Sequence, residues 1–115
     1  DAINAHGTGT SANDAVETAA IKSVFCERAP HIPISATKAL HGHLLGGAGA
    51  LEAVVTVLAF HERRLPPNAH CAAPDPACAV PLVPDGGLDM PALRAAISSS
   101  FAFGGTNSTL LFARP

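Results

Sequence analysis

A chain of 115 residues is the right size for one compact domain, and we expect residues 1–115 to form one. Hydrophobic residues make up 48% of the chain and charged residues only 14%, against about 25% in a typical globular protein. A surface so poor in charge predicts that other polypeptide covers part of it. The net charge of −2 gives no basis for binding nucleic acid or an anionic membrane surface, so we expect neither partner.

The sequence also bears on the compartment. The longest apolar run, Ala53 to Phe60, is interrupted by Thr56 and is much shorter than the roughly 20 apolar residues of a membrane span. No charged-then-apolar export signal is present, and the cysteine count of three is odd. We therefore expect free thiols and a cytoplasmic protein. The chain starts without a methionine and runs directly into a predicted strand, so we expect a piece of a larger protein.

The first half of the chain predicts a strand, a helix and a second strand. Ala2 to Ala5 is a short buried strand, and Ile32 to Ser35 is another. Between them, Ser11 or Asn13 can cap a helix that ends near Phe25. This helix is amphipathic, with one apolar face made of Val16, Ala20 and Val24.

The second half predicts one long helix and a pair of strands. Apolar residues nearly encircle the segment from Leu44 to His61, which favours a buried helix. The proline-rich segment from Leu65 to Pro91 is a surface connection with room for one short strand at Ala79 to Val83. Leu93 to Ser99 and Ser108 to Ala113 are antiparallel strands joined through a glycine turn. The order β-α-β-α-loop-β-β predicts an α/β fold.

Lys38 and Glu52 predict a buried ion pair. Glu52 is the only formal charge between Lys38 and Glu62, and it lies in the helix that should be buried. A buried carboxylate without a partner costs several kcal/mol or takes up a proton. Lys38 is the nearest cation on the N-terminal side of Glu52, separated from its helix only by a glycine-rich turn, so the two should meet. The alternative is a glutamate on a solvent-facing stripe and a surface lysine.

Two histidine-bearing stretches offer candidate catalytic groups. His6 is followed by Gly7-Thr8-Gly9-Thr10, and small neighbours leave space in front of its ring. A turn histidine bonded to backbone would explain this residue equally well. Thr8 and Thr10 are two apart, so both hydroxyls could face one channel, although two ordinary turn threonines would look the same. His41 and His43 form an HxH pair, but no acidic ligand lies nearby and the cysteine spacing does not suit zinc, so we expect no metal site.

Taken together, these stretches resemble the β-ketoacyl-acyl-carrier-protein synthases, the condensing enzymes of fatty-acid and polyketide synthesis. The resemblance rests on the HGTGT stretch from His6, on Lys38-Ala39-Leu40-His41-Gly42-His43, and on the loop from Phe101 to Asn107. It also includes Leu65-Pro66-Pro67-Asn68 and Pro74-Asp75-Pro76 at the family's spacing. The match is to the C-terminal part of the family only. It implies the C-terminal half of a thiolase-like fold, layered α-β-α around a mixed sheet.

The resemblance also implies a role for each candidate residue. His6 and His43 would donate hydrogen bonds to the thioester carbonyl of a malonyl unit, and Lys38 would set their protonation. Glu52 would hold that lysine in place. Further implied roles are phosphopantetheine binding by Thr8 and Thr10, and gating of the nucleophile by Phe103. Ala102 stands where the family commonly has glycine, which could stiffen the gating loop.

The implied reaction is decarboxylative Claisen condensation of a malonyl with an acyl thioester. The family's cysteine nucleophile would come from an N-terminal half that this chain lacks, and Cys26, Cys71 and Cys78 are read as non-catalytic. We therefore expect the chain to be inactive alone, and we expect acyl carrier protein as a partner, a homodimer when intact, and no cofactor. Two alternatives remain: a non-catalytic partner resembling a chain-length factor, and a thiolase, which would need a cysteine in the loop from Phe101 to Asn107.

Overall fold

A computed structural model describes all 115 residues and shows a mixed sheet with helices on both faces. Single 3₁₀ turns occupy Cys26–His31, Leu45–Gly47, Pro76–Cys78 and Phe103–Gly105. The strands and α-helices, in chain order, are β1 Ala2–Asn4, α1 Ser11–Phe25, β2 Ile34–Ser35, α2 Lys38–His41, α3 Ala48–Glu62, β3 Arg64–Leu65, β4 Leu88–Asp89, β5 Ala95–Ala102 and β6 Thr106–Ala113.

The main sheet has the strand order β2-β1-β5-β6. β1 is parallel to both of its neighbours, and Ile3 lies opposite Ile34 on one side and Ile97 on the other. β6 runs antiparallel to β5 after the turn at Phe103–Gly105, which confirms the predicted strand pair. β3 and β4 form a separate antiparallel pair that the sequence did not predict. The α/β class and the mixed sheet are therefore as expected.

Two apolar clusters lie on opposite faces of this sheet. Ile3, Ile34 and partly buried Ile97 pack with Ile21 of α1 on one face. Ala2 and Ala96 pack with Ala59 and Phe60 of α3 on the other. Successive strand residues point to opposite faces, so adjacent positions in β1 serve different helices. This is the predicted α-β-α layering, and it brings α1 and α3 to the end of β1 from opposite sides.

The amphipathic pattern of α1 predicted the wrong face. Val16 and Val24 are 69% and 73% exposed, while Glu17, Thr18 and Ile21 are buried. Glu17 points inward because its carboxylate accepts from the main-chain N–H groups of His6 and Gly7. Its N-cap is Thr10, whose hydroxyl accepts from the Asn13 N–H, and neither predicted cap serves.

The prediction that the long helix is buried all round is also wrong. α3 begins at Ala48, and Ala48, Glu52, Thr56, Ala59 and Phe60 are its buried residues. The opposite face is open because only the sheet packs against the helix; its exposed large residues, with the preceding turn, are Leu44, Leu45, Val54, Val57 and Leu58. The segment Leu45–Glu62 has the length and composition of a membrane span, with a mean hydropathy of 1.2, which is weak evidence because core helices pass the same test.

The predicted strand at Ala79 to Val83 does not form. The segment instead contacts β2 through a single parallel bridge between Ile34 and Leu82, flanked by two main-chain hydrogen bonds. Prolines interrupt the segment at positions 81 and 84, and proline cannot donate to a ladder. Asn68 holds the arrangement: its side-chain nitrogen donates to the Ile34 and Val83 carbonyls at 2.7 and 3.0 Å.

Candidate active site

His6 lies two residues after the end of β1 and is held at a tight turn. Its exposed fraction is 7%, and the next residue, Gly7, has a φ of +44°. A Cβ on Gly7 would lie 2.4 Å from the Cβ of Ala36, closer than two carbon atoms can approach without something moving. Glycine is therefore required here for both its backbone conformation and its size. The turn sends the chain away from the sheet toward α1.

Lys38 lies at the start of α2 and forms the predicted ion pair with Glu52. The lysine is 7% exposed and Glu52 is fully buried. The ammonium group has three donors, and the structure gives each an acceptor: Glu52 Oε1, the main-chain oxygen of His6, and Nδ1 of His6 at 3.2 Å. The pair therefore joins α2 and α3 to the residue that follows β1. The reading of a surface lysine is excluded.

Asn4, which sequence reasoning missed, fixes α3 against β1. Its side-chain nitrogen donates to the Glu52 carbonyl and to the Thr56 hydroxyl, both at 3.1 Å. Asn4 Oδ1 and Glu52 Oε2 are the two buried side-chain atoms without a hydrogen-bond partner in the chain. An asparagine facing inward from a three-residue buried strand is the signal that could have identified this contact.

The two family histidines converge. The ring centroids of His6 and His43 are 5.5 Å apart, and the rings meet edge to face at 83°. Phe101 packs its ring against His6 from β5, with centroids 5.7 Å apart. The cluster therefore combines His6 from the segment between β1 and α1, His43 from the turn after α2, and Phe101 from β5. The role of these rings in catalysis stays a prediction.

Hydrogen bonds determine which nitrogen of each ring carries the proton. The Lys38 ammonium can only donate, so Nδ1 of His6 accepts. Nδ1 of His43 accepts from the Leu45 main-chain N–H at 3.1 Å. Because Nδ1 accepts in each ring, the nitrogen that carries the donor proton is Nε2. The site offers two Nε2–H donors.

Burial is the main cause that lowers the pKa of His6 below its ordinary value, and the nearby Lys38 ammonium adds to it. His43 lowers this pKa further, whereas Glu52 and Asp14 oppose the shift without reversing it. Since the ordinary value is about 6.5, His6 is neutral at physiological pH. A neutral ring can accept from Lys38 at Nδ1 while it donates from Nε2.

His41 is engaged elsewhere. Its Nε2 lies 3.0 Å from the Thr37 hydroxyl, and its Nδ1 lies 2.8 Å from the Gly42 carbonyl oxygen. Both ring nitrogens therefore bond within the α2 turn. This agrees with the assignment of His43, rather than His41, as the partner of His6.

A cleft of about 550 Å³ opens beside His43. Thr8, Thr10, Lys38 and His43 contribute to one part of its wall. The two threonine hydroxyls are 2.9 Å apart, so both do lie on one side as predicted. The remaining wall comes largely from α1 and from the loop after β3. The cleft therefore leads along the predicted arm-binding residues to His43.

The predicted gate, Phe103, is the site residue that lies apart from this cluster. It sits in the turn between β5 and β6 with its side chain fully exposed, whereas Phe101 contacts His6. The turn carries Gly104 and Gly105 at φ of +79° and +77°. Its role as a gate stays a prediction.

The thiols make no catalytic arrangement within this chain. Cys26 is exposed at the end of α1, where its thiol donates to the Ser23 carbonyl. Cys71 and Cys78 line the cleft as free cysteines. No group of three or more histidine, cysteine or acidic side chains is placed to hold a metal ion.

Comparison with known proteins identifies the arrangement. Residues 1–72 match the family model described as β-ketoacyl synthase, C-terminal domain. The 3-oxoacyl-[acyl-carrier-protein] synthase 2 of Synechocystis sp. is 48% identical over 110 residues, which cover 96% of this chain and 26% of the relative. Nodulation protein E of Rhizobium leguminosarum bv. trifolii is 46% identical over 112 residues, or 97% of this chain and 27% of that protein. The chain spans about a quarter of the length of these relatives.

Solved structures agree. A type II polyketide acyl carrier protein in complex with its ketosynthase superposes with a TM-score of 0.93 and 35% identity, covering 97% of this chain and 27% of that one. A β-ketoacyl synthase from Burkholderia phymatum gives 0.84 and 39%, over 98% and 27%. The ishigamide ketosynthase/chain length factor gives 0.89 and 36%, over 98% and 27%. The predicted thiolase-like α/β fold is confirmed.

Proposed function

Because this chain belongs to the β-ketoacyl synthase family, we propose that it supplies the histidine pair of an enzyme that condenses a malonyl thioester with an acyl thioester. The observation that carries this proposal is the convergence of His6 and His43, both with the proton on Nε2. A substrate oxygen that accepts from both rings would be stabilised by two donors when it carries negative charge. An oxyanion stabilised in this way is the intermediate that decarboxylation of a malonyl thioester requires.

The proposed sequence of steps is simple. The malonyl thioester carbonyl accepts hydrogen bonds from both Nε2–H groups. The bond to the carboxylate breaks, carbon dioxide leaves, and the electron pair moves onto the carbonyl oxygen as an enolate. The enolate carbon then attacks an acyl thioester, and the β-ketoacyl product forms as the thiolate leaves. That thiolate belongs to a cysteine outside this chain.

Lys38 and Glu52 serve this chemistry by holding His6 in the right form. The ammonium group donates to Nδ1 of His6, which keeps the opposite nitrogen protonated. The Glu52 carboxylate neutralises the buried ammonium and anchors it to α3. Without the carboxylate, the ammonium would be buried without a counter-ion, which is costly.

The substrate class is a carrier-bound thioester. The cleft along Thr8 and Thr10 leads to His43, and its volume suits an extended arm such as phosphopantetheine. A structural relative binds an acyl carrier protein, which supports the same partner for this chain. We further propose that residues 1–115 form part of one domain, that the intact enzyme is a cytoplasmic homodimer, and that it uses no cofactor.

A second candidate function is a non-catalytic partner that resembles a chain-length factor. Ketosynthases occur in complex with such partners among the structural relatives. The presence of Lys38, His6 and His43 in one hydrogen-bonded cluster favours the catalytic alternative. The residue at the nucleophile position, outside this chain, decides between them. A thiolase is disfavoured because Phe101 to Asn107 contain no cysteine.

A hybrid enzyme tests the proposal. In the Synechocystis synthase, the segment of about 110 residues that matches would be replaced by this chain. The hybrid should release carbon dioxide from malonyl carrier protein and form a β-ketoacyl product with an acyl donor, while the 115-residue chain alone should form none. A folded hybrid that makes no product would contradict the proposal, and so would turnover by the chain alone.

A further inference from the structure

His41 lies between Lys38 and His43 in the chain, and the proposed chemistry leaves it without a role. It is the last residue of α2, a helix of only four residues that begins at Lys38. An isolated helix shorter than about 12–15 residues is marginal in water, so a single turn depends on contacts beyond its own main chain. The imidazole of His41 supplies two such contacts, one at each end of the turn.

The first contact is at the end of the turn. Nδ1 of His41 lies 2.8 Å from the Gly42 carbonyl oxygen, and because that oxygen can only accept, Nδ1 carries the proton and donates it. Gly42 has a φ of +78° and a ψ of 176°, a backbone conformation that is essentially restricted to glycine. Its carbonyl belongs to the peptide that joins Gly42 to His43. The His41 ring therefore fixes the orientation of the peptide from which His43 extends.

The second contact is at the start of the turn. Nε2 of His41 lies 3.0 Å from the hydroxyl oxygen of Thr37, a residue that is only 1% exposed. Thr37 is the N-cap of α2, yet its hydroxyl bonds no main-chain N–H of the helix. The hydroxyl bonds the His41 ring instead, so loss of the ring would leave it without this partner. Thr37 thus holds the ring in place against the Gly42 carbonyl.

We propose that His41 is a positioning residue for His43: by donating to the Gly42 carbonyl, its ring orients the peptide that precedes His43 and so aims the His43 ring at His6. His41 is not part of the cleft wall, so it acts through His43 rather than on the substrate. The inference rests on the proposed function for its catalytic consequence, whereas the geometric part stands on the contacts of the ring. The competing explanation is that His41 only adds stability to α2.

Two conservative variants separate the two contacts of the ring. The side-chain amide of asparagine takes about the place of Nδ1 and can donate to the Gly42 carbonyl, whereas the amide of glutamine takes about the place of Nε2 and can bond Thr37. His41→Ala removes both contacts. Alanine has the higher helix propensity, so activity lost in His41→Ala cannot come from propensity. His61→Ala is the control, because that ring is exposed on α3.

In the hybrid enzyme, we expect kcat for malonyl decarboxylation, per folded enzyme, to fall by about tenfold or more in His41→Ala. The change in KM should be smaller, because the Nε2–H donor of His43 is displaced while the cleft is intact. His41→Asn should restore part of this loss, and more of it than His41→Gln. A residue that only stabilises α2 would lower the free energy of unfolding and leave kcat unchanged. If His41→Ala does not fold, the comparison of His41→Asn with His41→Gln carries the test.

Unchanged kcat in His41→Ala would overturn the inference, and so would equal kcat in His41→Asn and His41→Gln or rescue by glutamine alone. An inactive hybrid with the native His41 would instead overturn the proposed function. Crystal structures decide the positioning role without turnover. We expect the ring centroids of His6 and His43 to stay near 5.5 Å apart in His41→Asn and to move apart in His41→Gln; an unmoved His43 ring in both would refute the role.

Discussion

The Lys38 ammonium lies 3.2 Å from Nδ1 of His6, and because it can only donate, the proton of that ring lies on Nε2. A lysine therefore decides which nitrogen of a neighbouring histidine is available as a donor. The burial that lowers the pKa of His6 and the charge of Lys38 act in the same direction, toward a neutral ring. Lys38 thus sets the tautomer of a proposed catalytic group, and burial is the main cause that favours the neutral ring.

Removing either histidine should abolish most condensation. In the hybrid enzyme, His6→Ala and His43→Ala should each lower kcat for decarboxylation by about 10²- to 10³-fold, the usual loss when one oxyanion donor is removed. His61→Ala is the control, because that ring is exposed and 3.9 Å from Glu62. Carbon dioxide release measures the effect. A loss below tenfold in both active-site variants would argue against paired donors.

Removing one partner of the Lys38–Glu52 ion pair should lower the free energy of unfolding more than removing both partners. Lys38→Met leaves Glu52 buried without its cation, which should lower the free energy of unfolding by about 3–5 kcal/mol. The double variant Lys38→Met/Glu52→Leu removes both charges and should be more stable than the single variant. Urea unfolding measures both. If the double variant loses the sum of what Lys38→Met and Glu52→Leu lose separately, the pair is not coupled as proposed.

The pH dependence of stability should carry the signature of His6. Its folded pKa lies below the unfolded value of about 6.5, so between these two values the unfolded chain binds more protons. The free energy of unfolding should therefore fall as pH falls below about 6.5, until the folded pKa is reached. Urea unfolding at pH 7.5 and 5.5 checks the sign. His6→Gln should reduce this difference, and an unchanged difference would assign it to other groups.

The two glycines that follow His6 should differ in their tolerance of a side chain. Gly7→Ala places a Cβ 2.4 Å from Ala36 at a φ of +44°, whereas Gly9 has a φ of +71° and no atom within 4 Å. Gly9→Ala should cost about 1–2 kcal/mol from backbone strain alone, and Gly7→Ala more than that, because a clash is added. Thermal and urea unfolding of the two variants give the comparison. Equal losses would mean that Ala36 moves aside freely.

Phe101 of β5 and Phe103 of the following turn should have different effects, Phe101 on stability and Phe103 on access to the nucleophile. Phe103→Ala should change the free energy of unfolding by less than about 0.5 kcal/mol, since its side chain is fully exposed. Phe101→Ala removes a ring packed on His6 and should destabilise the fold. If Phe103 is a gate, its variant should alter the rate of acyl transfer in the hybrid enzyme at unchanged stability. Unaltered transfer kinetics would leave the gate without support.

The sequence predicted the Lys38–Glu52 contact better than the packing of the two long helices. Glu52 could be recognised because a lone carboxylate in an apolar helix needs a cation, and Lys38 is the nearest one on its N-terminal side. Hydrophobic periodicity failed on α1 because Glu17 turns inward to bind main-chain N–H groups, and such contacts leave no trace in an apolar pattern. The same periodicity failed on α3 because apolar residues on a helix do not by themselves show whether they pack inside the chain or remain exposed on its surface. The contact between the rings of Phe101 and His6 depends on the register of β5 against β1, which a short sequence does not reveal.

The central claim is that the two Nε2–H groups meet on one oxygen. A crystal structure of the hybrid enzyme with a stable malonyl thioester mimic tests it most directly. We predict that the thioester carbonyl oxygen lies about 2.7–3.1 Å from Nε2 of both His6 and His43. A carbonyl oxygen that contacts neither ring, in a structure with the mimic fully bound, would contradict the account.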